Sequence, residues 1–116
     1  MSSDCLFCKI VSGEIKTEFI YETDDFIVIK DKFPQAPTHL LIIPRRHYRN
    51  IIECMEKSGD GMGDGLLRTA VDVAKRLGFA QSGFRSIINT NSGGGQTVFH
   101  LHMHVMAGEK LTEDMA

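Results

Sequence analysis

A run of alternating histidines near the C-terminal end constrains this chain more than any other feature. His100, His102 and His104 occupy every second position, and the residues between them are apolar. Residues two apart in a β-strand point to the same face of the sheet. The pattern therefore predicts a strand over residues 99–107, with three imidazoles on one face and apolar side chains facing a core. We expect the rest of the chain to be organised around this strand.

Length and composition indicate one globular domain spanning residues 1–116. Hydrophobic residues make up 42% of the chain, charged residues make up 24%, and the net charge is −2. No basic stripe suggests a nucleic-acid polymer as partner. No apolar run approaches the roughly 18 residues of a membrane span, and the N-terminus does not resemble a signal peptide. We therefore expect a cytoplasmic protein that binds neither nucleic-acid polymers nor membranes.

Hydrophobic patterning predicts an α+β fold with an antiparallel sheet of about five strands, one main helix and a short N-terminal helix. The main helix is expected over residues 66–77, where Gly78 ends it. Its apolar face is broader than one sheet needs, so core packing and a share in a subunit interface both remain open. The remaining predicted elements are helices at 6–11 and 45–55 and strands at 19–22, 26–30, 39–43, 84–91 and 99–107.

The alternating histidines are consistent with two kinds of chemistry. A His-x-His pair on a strand can bind zinc, with a third ligand leaving an open coordination position. Alternatively, an unprotonated imidazole is a good nucleophile towards a phosphate ester. The glycine-rich turn at 92–97 favours the phosphate interpretation, because its backbone N–H groups can approach an anion closely. Glycine is also common in hairpin turns, so the residues alone leave both interpretations open.

The cysteines suggest a second site. Cys5-x-x-Cys8 has the spacing of a zinc knuckle, and His47 with one more histidine would complete a Cys2His2 set. The alternatives are redox chemistry, although no thioredoxin-like pattern follows the pair, and no special role for the two cysteines. Cys54 is expected to be a small, partly buried side chain.

The sequence resembles a known family over roughly residues 4–107. The segment 100–106 matches the His-φ-His-φ-His-φ-φ signature of the histidine triad superfamily of nucleotide hydrolases and transferases. The segments 34–39, 43–44 and 94–98, together with Asp31, are similar to the Hint branch, the histidine triad nucleotide-binding proteins. The opening Cys-Leu-Phe-Cys-Lys-Ile resembles bacterial, zinc-containing members of that branch.

The resemblance implies a purine nucleoside phosphoramidase. In that mechanism His102 is the nucleophile that forms a nucleotidyl-histidine, and water then releases the nucleoside monophosphate. His104 contacts the phosphate and His39 borders the same site, so the implied catalytic set is His102, His104 and His39. The implied nucleotide-binding residues are Asp31, Lys32, Asn89, Gly95, Gln96, Thr97, His102 and His104. Lys32 occupies a base-side position that is often aliphatic in the family.

The resemblance also implies a structural zinc ion, a homodimer and no catalytic metal. The implied zinc ligands are Cys5, Cys8, His47 and His100. The chain lacks the Trp-Pro-Pro-Gly-like tail of eukaryotic members, which lies near the active site and bears on leaving-group preference. Three alternatives remain at this stage. They are a nucleotide-binding adaptor with incidental hydrolysis, a dinucleoside polyphosphate hydrolase, and a zinc hydrolase that uses the three histidines as ligands.

Overall fold

An antiparallel sheet organises the protein, and the computed structural model describes it over residues 4–59 and 61–113. The strands lie in the order β1-β2-β3-β5-β4, and every neighbouring pair is antiparallel. This arrangement confirms the predicted α+β class with five strands. In chain order the elements are α1 (Leu6–Ser12), β1 (Tyr21–Glu22), β2 (Phe26–Lys30), β3 (Thr38–Pro44), α2 (Ile51–Lys57), α3 (Met62–Leu77), β4 (Arg85–Ile87) and β5 (Met103–Ala107).

The central strands are apolar on both faces because the sheet is covered on both sides. On one face, Val28 and Ile42 pack with α2 and α3 in the larger core. On the other face, Ile29 and Leu41 pack with Phe7 of α1 in a smaller core. Strand residues alternate between the two faces, so adjacent residues of β2 and β3 belong to different cores. The face that carries α1 is also the face towards which His104 points, because His104 pairs with Leu41 across the sheet.

The main helix begins earlier than its apolar periodicity predicts. It starts at Met62, after Gly61 with φ of 86°, and it ends as predicted at Gly78, whose φ is 88°. Gly65 lies inside the helix where an added Cβ would come 2.9 Å from the Phe26 ring, so the helix packs closely against the sheet there. Like the other helices of the described residues, it is neither long nor apolar enough to cross a membrane.

The histidine strand is shorter than predicted. β5 begins at Met103 rather than at residue 99, so His100 and His102 precede the regular strand. Here the Leu101 N–H donates to the Tyr48 carbonyl over 2.7 Å, which draws the chain away from the sheet ladder. The predicted alternation still holds, because the apolar residues between the histidines are buried in the larger core. What the alternation did not reveal is that the three imidazoles lie in two different environments.

Other boundaries also differ, for local reasons. The helix predicted at 45–55 begins at Ile51, because Asn50 is extended and caps it by accepting a hydrogen bond from the Glu53 N–H at 2.9 Å. The strand predicted at 84–91 covers only Arg85–Ile87, and the strand predicted at 19–22 covers Tyr21–Glu22.

Candidate active site

Two cysteines and two histidines converge where α1 meets the segment before β5. Cys5 Sγ lies 3.2 Å from His100 Nδ1, and Cys8 Sγ lies 3.3 Å from His47 Nδ1. The two histidine Nδ1 atoms are 3.1 Å apart. All four candidate ligand atoms lie within 4.8 Å of one another. The cluster therefore contains the four predicted metal ligands, and they lie close enough to hold one metal ion.

The hydrogen bonding of His100 fits a metal-binding role. Burial lowers its pKa to about 4, so the ring is neutral near pH 7 and carries one hydrogen. That hydrogen lies on Nε2, because Nε2 is 2.9 Å from the Pro44 carbonyl, which can only accept. The Nδ1 lone pair consequently faces the sulfur atoms. Burial raises the pKa of Cys8 to about 11, so a cation is what would favour its ligating thiolate form.

His102 lines solvent-accessible space, and one of its ring nitrogens is unprotonated. Burial lowers its pKa, so the imidazole is neutral near pH 7. Its Nδ1 lies 2.8 Å from the His100 carbonyl and must be the protonated nitrogen. Nε2 is then the unprotonated nitrogen. The ring of Phe7 packs edge-on against it with centroids 5.0 Å apart, which limits its orientation. His102 therefore has the tautomer that a nucleophilic imidazole requires.

A hydrogen-bonded chain links His104 to the main chain of the loop before β3. The Gln35 N–H donates to His39 Nδ1 at 2.9 Å, so a neutral His39 carries its hydrogen on Nε2. That atom lies 2.9 Å from His104 Nδ1 and can donate to it. Burial, followed by the neighbouring His102, lowers the pKa of His104 to about 4. His104 is thus neutral, accepts at Nδ1 and presents an N–H at Nε2.

Asp31 lies beside this chain. Its Oδ1 accepts from the Phe33 N–H at 2.7 Å. Its Oδ2 is 3.4 Å from His39 Nε2 and 3.8 Å from His104 Nδ1. This spacing alone is compatible with a cation, but the His39 Nε2 hydrogen, donated to His104 Nδ1, already joins the two imidazoles, and the Asp31 carboxylate lies beside them. His100 belongs to the cysteine cluster and His102 to neither group, so the three histidines do not form one metal site.

A cavity of about 430 Å³ opens over His102 and His104. Its volume lies within the ~300–1,000 Å³ of small-molecule sites. Apolar side chains of α1, β2 and β3 line one part, while polar residues line the part near the histidines. Of the predicted nucleotide-binding residues, the cavity contacts Asp31, Lys32, Asn89, Gly95, Gln96, Thr97, His102 and His104. The predicted set therefore shares one cavity, which we call the first cavity, while His39 lies behind His104 and lines a neighbouring one.

The glycine-rich turn differs from the expected phosphate cradle. The N–H groups of Gly94 and Gln96 donate to the Asn91 carbonyl, and the N–H of Gly95 donates to the Ser92 carbonyl. The buried Gln96 side chain accepts from the Asn91 N–H at 2.7 Å and donates to the Arg49 and Val98 carbonyls. These amides are not available to an anion, so the expectation fails for them. Gln96 instead holds the turn in a fixed shape beside the cavity.

The sequence patterns missed the apolar part of this cavity. Phe7, Ile29, Leu41 and Val98 line it, and the 78% exposed ring of Phe33 stands at its edge. Phe7 lies between the two cysteines, and the strand residues follow ordinary core patterns, so all of them read as core positions. Only the register of β2 with β3, together with the position of α1, shows that these residues form a concave surface.

The chain matches known proteins along most of its length. The family model described as the HIT domain matches residues 12–111. An uncharacterised HIT-like protein of Synechococcus elongatus is 40% identical over 96% of each chain. Purine nucleoside phosphoramidase of Escherichia coli is 36% identical, covering 96% of this chain and 92% of that protein.

Solved structures agree with the sequence comparisons. A histidine triad protein from Clostridium difficile superposes with a TM-score of 0.92 at 39% identity and covers 99% of each chain. A HIT family hydrolase from Legionella pneumophila superposes with a TM-score of 0.88 at 39% identity, covering 95% of this chain and 97% of that one. From its histidine strand, its sheet and these matches, the chain belongs to the HIT domain family.

Proposed function

We propose that this protein is a purine nucleoside phosphoramidase, a hydrolase that cleaves the phosphorus–nitrogen bond of a nucleotide and releases the nucleoside monophosphate. The observation that carries the proposal is the free Nε2 lone pair of His102 beside a cavity of nucleotide size. The similarity to the phosphoramidase of E. coli supports the same chemistry.

The proposed reaction has two displacements at phosphorus. In the first, His102 Nε2 forms a bond to the α-phosphorus and the P–N bond breaks, its electron pair going to nitrogen, which leaves as an amine after taking up a proton. In the second, a water oxygen replaces the imidazole and its released proton balances the one taken up. The bond from Nδ1–H to the His100 carbonyl stabilises the positive charge on the nucleotidyl-imidazole.

The neighbouring groups have distinct proposed roles. His104 Nε2–H faces the phosphate as a donor, and the chain from the Gln35 amide through His39 keeps that hydrogen in place. Asp31 accepts hydrogen bonds from the ribose hydroxyls, with Asn89 and Thr97 near the phosphate. The purine occupies the apolar part of the first cavity. Each group acts as a fixed dipole or charge, so the chemistry requires no catalytic metal.

Turnover of adenosine 5′-phosphoramidate, measured by release of AMP, tests the proposal. Wild-type protein should hydrolyse it, whereas His102→Ala should bind AMP with similar affinity and turn over at least ~10³-fold more slowly, as expected when a covalent nucleophile is removed. Tight AMP binding without wild-type hydrolysis would instead favour a nucleotide-binding adaptor. Faster cleavage of a dinucleoside polyphosphate than of the phosphoramidate would favour a dinucleoside polyphosphate hydrolase.

A structural zinc ion is proposed for the cluster of Cys5, Cys8, His47 and His100. A closed set of two thiolates and two imidazoles is typical of structural zinc. The metal would join α1 to the segment that carries His102, and it would supply stability rather than chemistry. Metal analysis should find about one zinc per chain, and Cys5→Ser should reduce that content.

A homodimer is also proposed. Leu67, Val71 and Leu77 of α3 are 58%, 44% and 47% exposed, whereas the other side of the helix is buried through Leu66, Ala70, Val73 and Ala74. The broad apolar face of α3 therefore has one side in the core and one exposed side that could contact a second subunit. Sedimentation should give twice the chain mass, and Leu67→Lys should shift the protein towards the monomer.

A further inference from the structure

A second cavity lies beside the first one, and the proposed mechanism does not use it. Its volume is about 420 Å³, against about 430 Å³ for the first. Asn89 and His104 line both cavities. A molecule that reached from one cavity into the other would therefore pass directly by the proposed reaction centre.

The sheet register places the two cavities on one face. Leu41 pairs with Ile29 on one side and with His104 on the other, and His104 pairs in turn with Ile87. Ile29 and Leu41 line the first cavity, Ile87 lines the second, and His104 divides them. With the nucleoside over β2 and β3, the remaining substituent on phosphorus has room over β5 and β4.

The second cavity is lined by two basic side chains, Arg85 and Lys110, and one acidic side chain, Glu109. The Arg85 guanidinium donates to the Thr112 carbonyl, which holds residues 109–112 along the cavity. Within residues 4–59 and 61–113, neither cation forms an ion pair with a carboxylate. The floor is apolar where Ile87 lies.

We infer that the second cavity binds the leaving group, and that Arg85 and Lys110 favour leaving groups carrying a negative charge. This inference rests on the proposed function. Unpaired cations beside an apolar floor attract an anion and orient it. A carboxylate on the departing amine and a phosphate on a departing nucleotide share this chemistry. The substrate class is therefore nucleotides whose leaving group is itself anionic.

A matched pair of substrates tests this. Adenosine 5′-phosphoramidates of β-alanine and of β-alaninamide differ only in the terminal charge of the leaving amine. The measured quantity is the ratio of their kcat/KM values, since intrinsic reactivity cancels when that ratio is compared between variants. Arg85→Ala and Lys110→Ala should each lower the carboxylate-to-carboxamide ratio by about three- to fivefold, as expected for a partly exposed charge pair. Lys110→Arg should preserve the ratio, and Lys110→Glu should invert the preference.

Lys75→Ala, a substitution on the exposed face of α3, is the control and should leave the ratio unchanged. Diadenosine triphosphate, whose leaving group is ADP, is the third substrate of the experiment. A loss confined to this substrate would identify a departing nucleotide as the anionic group, and a loss confined to β-alanine would identify a carboxylate. Unchanged ratios in both alanine variants, together with unchanged cleavage of diadenosine triphosphate and intact carboxamide hydrolysis, would overturn the inference and leave the proposed function standing. If the wild type hydrolysed none of the three substrates, both the inference and the proposed function would be overturned.

Discussion

Asn50 links helix α2 to the glycine-rich turn, and replacing it should measure what that link contributes. Its Oδ1 accepts from the Glu53 N–H at 2.9 Å, and its Nδ2 donates to Asn91 Oδ1 at 2.8 Å. Asn91 has φ of 60°, the one positive value among the described non-glycine residues. The turn that follows it carries Thr97, which lines the first cavity. Asn50 therefore supports both a helix and one wall of the proposed site.

The two contacts have different expected magnitudes. Loss of a helix N-cap costs about 1 kcal/mol. Loss of the bond to Asn91 costs about 0.5 kcal/mol, at the low end of the usual range, because Asn91 is exposed and water can replace the donor. Asn50→Ala should therefore lower the free energy of unfolding by about 1.5 kcal/mol. Asn50→Ser keeps a capping oxygen but is too short to reach Asn91, so it should lose about 0.5 kcal/mol.

Urea denaturation of the three proteins supplies the free energies, and AMP titration supplies the functional effect. Both variants should bind AMP more weakly, because the turn loses its anchor. Asn50→Asp is the control, since its carboxylate caps the helix and a rotated Asn91 amide can donate to it. Equal destabilisation by alanine and serine would refute the assigned cap. AMP affinity unchanged in Asn50→Ala would refute the assigned support of the cavity wall.

Three further predictions concern the metal cluster, the buried imidazoles and the larger core. Chelation should lower the thermal midpoint and be reversed by zinc, while Cys54→Ala should leave zinc content unchanged; a midpoint that chelator does not move would contradict the structural metal. His104 has a folded-state pKa near 4, below its unfolded value of about 6.5. Its contribution to stability is full above pH 6.5 and should fall between pH 6.5 and 4. The His104→Asn variant should show a weaker pH dependence of unfolding in that window, and an identical profile would count against the assignment. Tyr48→Phe should be neutral or stabilising by up to about 1 kcal/mol, because the buried hydroxyl has no hydrogen-bond partner within the described part of the chain. A fall of more than about 1 kcal/mol in the free energy of unfolding, measured by urea denaturation, would contradict this prediction.

The sequence was informative about the fold wherever local chemistry decides the structure. Gly78 ends α3 with a positive φ, and the apolar residues of β2 and β3 form buried strands. Sequence could not show where β5 begins, because that depends on a hydrogen bond from Leu101 to Tyr48, which precedes α2, α3 and β4 in the chain. Boundaries set by long-range contacts are invisible to local patterns.

In the candidate site, too, local sequence predicts some features, and contacts between distant segments determine the others. The alternating histidines and the paired cysteines are recognisable by residue type and spacing, whereas His100 is assigned as the fourth ligand by the family resemblance. The structure brings Cys5, Cys8, His47 and His100 close together. By contrast, the tautomer of each histidine depends on carbonyls and amides that any residue could supply. Likewise Arg85 and Lys110 look like ordinary surface cations until the register of β4 and β5 places them around a cavity.

The central claim is that His102 Nε2 forms a covalent bond to phosphorus. Its most direct test is rapid mixing with a purine nucleoside phosphoramidate, quenching in alkaline denaturant and mass spectrometry of the peptide that contains residues 100–104. We expect a mass increase of one nucleotidyl group on His102, absent from His102→Ala and formed at least as fast as turnover. A nucleotidyl group on His104, or hydrolysis with no labelled histidine, would contradict it.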